Sequence, residues 1–386
     1  MTEGSTRSWS AWVAGETGTI RAAGQWREPR SFDSVGPRGT LVATGRQVTS
    51  FASNDYLGLS QHPSVTAAAV EAIQRWGSGS GASRLVVGSR PVHHDLESAI
   101  ALWRNTEAAI AFPTGYAANL GLLSTLGGRG VEIFSDELNH ASIVDGCRLA
   151  RANGAAVTIY PHLDLVSLRA AMAASSAMRS IVVTDSVFSM DGDVAPVDEL
   201  VALCAEFDAL LVLDEAHSAL QDVPSGSGRP DLIVQVGTMS KTLGALGGFV
   251  AASRPMVELL VNRARSYIFT TASSPADAAA ALAAIGILGS PEGDRLIRTL
   301  RSHVDRIAPG HQTPIIPWVL GEEAAALDAA AALLERGLLV PAIRPPTVPA
   351  GSSRLRIALS ASHTDAEIKL LLSTLVDLGF VPGDLP

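Results

Sequence analysis

Cysteine is nearly missing from this sequence. Cys147 and Cys204 are the two in 386 residues, each in helix-like surroundings, and they imply no disulfide framework. Charge is sparse as well: 17% of the residues are charged against 47% hydrophobic, which predicts a large core and subunit surface that is buried too. There is no Lys/Arg cluster, and a net charge of −9 argues against a nucleic-acid partner. Apolar stretches are short and interrupted, so no segment reads as a transmembrane helix. No basic segment followed by an apolar core marks a signal peptide, and a cytoplasmic protein with no membrane partner is the expectation. A metal site is not expected either. His93-His94-Asp95 has no third and fourth ligand at useful spacing, and its place before Leu96-Glu97 suggests a helix start. The glycine loop Trp76-Gly77-Ser78-Gly79-Ser80-Gly81-Ala82-Ser83-Arg84 lacks the Gly-Lys-Ser/Thr of a P-loop and follows a helix, so it is no nucleotide fingerprint. Internal repeats are absent, and the only biased stretches are Ala-rich helices near 276–285 and 323–332.

What the sequence does have is a series of apolar runs that each stop on a polar rim. Leu210-Leu211-Val212-Leu213 ends on Asp214-Glu215-Ala216-His217, and Leu232-Ile233-Val234 leads into Gly237-Thr238-Met239-Ser240-Lys241-Thr242-Leu243-Gly244. Short apolar runs bounded by turn residues read as strands buried on both faces of a parallel sheet. Ligands bind beyond the carboxyl ends of such strands, where Asp214, His217 and Lys241 fall. An acid, an imidazole and an amine on one rim suit amine chemistry on a carbonyl substrate. The pattern recurs at Glu107–Phe112 before Pro113-Thr114-Gly115-Tyr116, at Val131–Asp136 before Glu137-Leu138-Asn139-His140, and at Ser180-Ile181-Val182-Val183-Thr184 before Asp185-Ser186. Strands alternating with helices over 107–250 predict an α/β sheet of largely parallel strands. A strand–Gly–helix junction such as that at Gly115 presents backbone N–H groups to a phosphate.

A chain of this length suits two or three units sharing an interface. The expected divisions are an N-terminal segment over 1–50, with a short helix and a hairpin at Leu41–Gln47, a large domain over 51–288, and a smaller α+β domain over 289–386. Near the end, Arg354 and Arg356 flank Leu355 in a strand-like stretch, which puts the two arginines on one face. From pattern alone this is either a solvated edge strand or a grip for a carboxylate.

Strand-Asp-x-x-His followed by strand-Thr-x-Ser-Lys, with Ser53-Asn54-Asp55-Tyr56-Leu57-Gly58-Leu59, Val187-Phe188-Ser189-Met190-Asp191-Gly192-Asp193 and Ala342-Ile343-Arg344-Pro345-Pro346-Thr347-Val348-Pro349-Ala350-Gly351, resembles the α-oxoamine synthases of the fold-type I pyridoxal-phosphate enzymes. The likeness runs from about Phe51 to His363. It implies a fold-type I transferase: a mostly parallel sheet with helices on both faces and a small C-terminal domain. It also implies a homodimer with active sites at the interface, and pyridoxal 5'-phosphate held by Lys241. Asp214 would pair with the pyridine nitrogen and His140 would stack on the ring. Gly115 and Tyr116 would hold the phosphate, with Thr271 reaching it from the neighbouring subunit, while Ser186, His217 and Thr238 would complete the cofactor site. Arg356 and Asn54 would meet the substrate, and Arg27 the acyl part. The implied reaction condenses L-alanine with an acyl-CoA, pimeloyl-CoA or its carrier-protein thioester, with loss of CO2. Two departures bear on the acyl group. Ser218-Ala219-Leu220-Gln221-Asp222 replaces the usual Gly-rich continuation and makes a shorter connection, and Ala358 stands where a Thr is usual. An oxoamine synthase with another acyl-CoA or amino acid, an aminotransferase, and a silent scaffold are the alternatives.

Overall fold

The computed structural model describes residues 8–221 and 230–381. The shortened connection after His217 therefore lies, from Asp222 to Arg229, outside the described residues.

Among the described residues, fourteen strands form three sheets. In chain order they are β1 (Phe32–Val35), β2 (Arg38–Leu41), β3 (Arg46–Ser50), β4 (Ala108–Phe112), β5 (Val131–Asp136), β6 (Ala156–Tyr160), β7 (Arg179–Asp185), β8 (Leu210–Asp214), β9 (Ile233–Thr238), β10 (Gly248–Ala252), β11 (Ile315–Gly321), β12 (Leu338–Leu339), β13 (Ala342–Ile343) and β14 (Ser353–Ala358). The central sheet runs β4-β10-β9-β8-β7-β5-β6. Its ladders are parallel from β9 through β8, β7 and β5 to β6, and β10 alone runs against both neighbours. Both faces are covered, as the continuous apolar runs predict. Val183, Val212 and Val234 pack on one side with Leu122, Leu123 and Ile143. Val182, Leu211 and Leu213 pack on the other with Leu168, Leu200 and Leu203. Each cysteine sits buried and free in one of these two layers, Cys147 in the first and Cys204 in the second.

The helices start where capping side chains stop the preceding turn. Thr114 accepts from the Ala117 amide at the head of Gly115–Leu126, and Ser274 precedes Pro275 at the head of Pro275–Leu288. His93 lies in the first turn of Pro91–Trp103, its Nδ1 accepting from the Arg90 amide at 2.9 Å. This is the helix start read from the sequence.

The C-terminal part is built on an antiparallel sheet in the order β11-β14-β13. β14 is its middle strand, so Arg354 and Arg356 are buried rather than on a solvated edge. A second small sheet joins the chain's two ends: β12 pairs in parallel with β3, beyond the β1-β2-β3 meander that contains the expected hairpin. The core there is shared. Phe51 and Tyr56 pack in one cluster with Ile316, Leu355 and Ile357.

Candidate active site

The carboxyl ends of β4, β5, β7, β8 and β9 all point to one rim, and the polar residues after them close around a single cavity. Its volume is about 230 Å³, and Gly115, Tyr116, His140, Asp214, His217, Thr238 and Lys241 are among its lining. Of the sequence's two lysines, Lys241 and Lys369, Lys241 is the one that faces it.

Asp214 ends β8 and is buried. Its Oδ2 accepts from Asn119 Nδ2 at 2.7 Å and its Oδ1 from the Ala216 amide at 3.0 Å. Among the described residues it has no salt-bridge partner, and it lines the cavity as a buried carboxyl. Asp185 stands opposite it in the β7–β8 ladder. Complete burial, and then the charge of Asp214, hold the Asp185 carboxyl well above the usual carboxylate range. Its Oδ2 accepts from the His140 amide at 2.8 Å.

Lys241 Nζ lies 2.7 Å from His217 Nε2. Burial lowers the lysine's pKa, against the opposing pull of Asp214 and Asp185. His217 is buried and held well below its ordinary value, first by burial and then by the charges of Lys241 and Arg356. His140 caps the helix Ala141–Ala152, its Nδ1 2.8 Å from Ser142 Oγ, and Tyr116 meets its ring edge-on at 6.5 Å between centroids. Burial lowers its pKa too.

Gly115 opens its helix directly against β9. A Cβ there would lie 3.3 Å from Thr238 Cβ, so glycine lets the first helical turn approach the strand and bring its N–H groups to the rim. Thr238 donates to the Gly247 carbonyl at 2.9 Å and sits 2.7 Å from Ser240 Oγ.

Other expected site residues are placed differently. Ser186 is buried with both its amide and hydroxyl donating to the Asp214 carbonyl, at 2.9 and 3.0 Å, so it braces the strand end. Arg356 donates through Nη2 to Asn54 Oδ1 at 3.0 Å and through Nε to the Ser189 carbonyl. Thr271 is exposed and outside the cavity, in a stretch tied to the glycine loop by the Ala272 amide on the Ala82 carbonyl. Arg27 lines a separate hollow with Trp26 and Pro346, and is not brought to the site. Asn119, Asp185, Tyr56 and Ser142 were not singled out from the sequence as site residues. Each is positioned by a partner far along the chain, and only the shared Ser-Asn-Asp-Tyr word hinted at Tyr56. No group of three or more His, Cys, Asp or Glu among the described residues is placed to hold a metal, and no helix among them is long and apolar enough to cross a membrane.

The fold and this rim define a transferase of the pyridoxal-phosphate class. The chain belongs to the class I and II aminotransferase family, whose model matches residues 46–375. It is 45% identical to the 8-amino-7-oxononanoate synthase of Geobacter sulfurreducens, over 95% of this chain and 97% of that protein. It is 46% identical to the synthase of that name in Anaeromyxobacter dehalogenans, over 97% and 96%. Among solved structures, Sphingomonas wittichii serine palmitoyltransferase superposes with a TM-score of 0.86 at 32% identity, covering 98% of each chain. The 8-amino-7-oxononanoate synthase of Francisella tularensis superposes at 0.70 with 26% identity, over 86% of this chain and 97% of that one. A serine palmitoyltransferase variant from S. paucimobilis, solved with a bound PLP–myriocin aldimine, matches at 0.87 with 30% identity, over 97% and 98%. The residues present fit that cofactor: a buried acid with no salt-bridge partner among the described residues for a protonated ring nitrogen, one amine, and a glycine-started helix for a phosphate.

Proposed function

We propose that this chain is an 8-amino-7-oxononanoate synthase of biotin biosynthesis. It condenses L-alanine with pimeloyl-CoA, or the carrier-protein thioester, in the cytoplasm as a homodimer. A bond forms between the alanine Cα and the acyl carbonyl carbon, the alanine carboxylate leaves as CO2, and the thiol leaves from the acyl group. The observation that carries this reading is the meeting of Lys241, His217 and Asp214 in one cavity, in a chain 45% identical to a curated synthase over 95% of its length.

Pyridoxal phosphate, when bound, supplies an electron sink for the alanine Cα. Lys241 would hold it, Asp214 would keep the ring nitrogen protonated, and the N–H groups at Gly115 and Tyr116, with Thr238, would take the phosphate. Lys241 would be the base that moves the Cα proton, a role that burial supports by favouring its neutral form. Arg356, fixed by Asn54 and Ser189, has a guanidinium suited to the amino-acid carboxylate. A second cavity of about 690 Å³ opens beyond Ser189, between residues 188–194 and 347–352, with Thr347, Val348 and Arg354 in its lining. It gives an acyl chain room next to the carboxylate grip.

The test is kcat/KM for acetyl-, succinyl-, hexanoyl- and pimeloyl-CoA, each with alanine and with glycine, together with the product mass. Pimeloyl-CoA with alanine is expected to be the best pair. Pockets discriminate by only about 1–3 kcal/mol per methylene, so a better donor among the others would move the chain to a sister synthase while leaving its chemistry intact. Transamination without condensation would overturn the synthase reading altogether.

A further inference from the structure

Behind Lys241 runs a line of hydrogen bonds that ends on Arg356. Lys241 Nζ lies 2.7 Å from His217 Nε2, and His217 Nδ1 lies 2.6 Å from the Tyr56 hydroxyl. That hydroxyl is 3.2 Å from Asn54 Oδ1, which accepts from Arg356 at 3.0 Å. Tyr56 is 0% exposed and His217 3%, so water does not stand in for a missing partner.

The phenol has one proton and two acceptors within reach. The imidazole is the closer of the two, at 2.6 Å rather than 3.2 Å. Asn54 Oδ1 already accepts from Arg356 at 3.0 Å, and its contact with the phenol is the longer one. The Tyr56 proton therefore belongs to His217 Nδ1. A neutral imidazole that accepts at Nδ1 carries its own proton on Nε2, which is the nitrogen that faces Lys241.

We propose that Tyr56 is a positioning residue that fixes His217 as its Nε2–H tautomer, so that Lys241 meets a donor only its unprotonated amine can accept. Two donors face to face would be the cost of an ammonium there. The burial of His217 beside Lys241 and Arg356, which opposes an imidazolium, agrees with this geometry. The inference rests on Lys241 as the cofactor lysine and is indifferent to which thioester is used.

The tautomer is read by nitrogen-15 NMR on the full-length protein with labelled histidine, both as purified and after cofactor removal. The His217 signals are identified by their loss in His217→Gln. In the unsubstituted protein His217 should show a protonated Nε2 and an accepting Nδ1. Tyr56→Phe keeps the ring and removes the hydroxyl. It should move His217 to the Nδ1–H form or a mixture, and slow cofactor loading about tenfold, the order expected for one lost hydrogen bond. An Nδ1–H pattern in the unsubstituted protein, or an unchanged pattern in Tyr56→Phe, overturns the proposal. The first of these outcomes decides the matter even if the variant does not fold.

Discussion

Asp185 and Asp214 are paired neighbours at the ends of two strands, and Asp185 bears the cost of that closeness in its own pKa. Like charges so close cannot both be ionised cheaply. Burial and the charge of Asp214 raise the Asp185 pKa well above the usual carboxylate range, while Asp214 accepts from Asn119 and the Ala216 amide. Asp214→Asn retains the shape and deletes the charge, and its single carbonyl oxygen can accept from one of the two donors, Asn119 Nδ2 or the Ala216 amide. The cofactor is expected to bind still, as read by absorbance titration, while turnover falls by the equivalent of about 1.5–3 kcal/mol or more, the worth of a charged hydrogen bond. Near-normal kcat would mean that another group protonates the ring nitrogen. Lys241, His217 and Asp214 were legible in the sequence because each follows an apolar run that can only be a buried strand. Tyr56 was not legible as a partner of His217, since the contact joins residues 161 positions apart and no local pattern encodes it. Ser186 was legible as a rim residue, but its hydroxyl is spent on the backbone of Asp214, a choice that depends on the strand neighbour.

Among elements, the segment after β7 does the most joining. The loop from Ser186 to Val194 reaches the C-terminal sheet: Thr313 donates to the Gly192 carbonyl at 2.7 Å, Arg354 pairs with Asp191, and Arg356 donates to the Ser189 carbonyl. Its other side is held by His162, whose Nδ1 is 3.0 Å from Asp136 Oδ1 and whose Nε2 is 2.5 Å from Asp193 Oδ2. Burial alone would lower the His162 pKa, but the two carboxylates outweigh it and push it up to about 9 from 6.5. Because the folded value is the higher one, the stabilisation is complete below 6.5 and is lost as pH rises through about 9. The difference in melting temperature between this protein and His162→Gln is expected to shrink across that window. A difference that does not change with pH would show that His162 packs against Phe188 without acting as a cation. Sequence patterns gave little hint of either partner element. β6, which carries the chain towards His162, is an edge strand with most of its residues at least partly exposed, so it lacks the apolar run that marks its neighbours. β14, by contrast, reads as two arginines around a leucine and yet is a central strand, because Arg354 and Arg356 are satisfied by the loop rather than by water.

At the scale of the whole molecule, the surface around Thr271 is the feature that bears on assembly. Thr271 is exposed, and beside it the turn Arg84–Gly88 shows Leu85, Val86 and Val87 to solvent at 53%, 71% and 69%, with Phe269 at 70%. Exposed apolar surface of this kind is what a second subunit covers. On the proposed homodimer, Thr271 then serves the partner's phosphate site rather than its own, and subunit mixing tests that arrangement. Lys241→Ala dimers and Thr271→Val dimers should each be impaired, the first abolished and the second weakened in cofactor retention. In a mixed dimer one site combines both substitutions, whereas the other has an intact Lys241 from one chain and an intact Thr271 from the other. Unfolding and refolding the two variants together should therefore restore up to about half the activity of an unsubstituted dimer per mixed dimer, the share of one site in two. If Thr271 acted within its own chain, each mixed dimer would hold one site lacking Lys241 and one lacking Thr271. Mixing would then give no site better than the Thr271→Val parent, with cofactor retention no higher than in that variant.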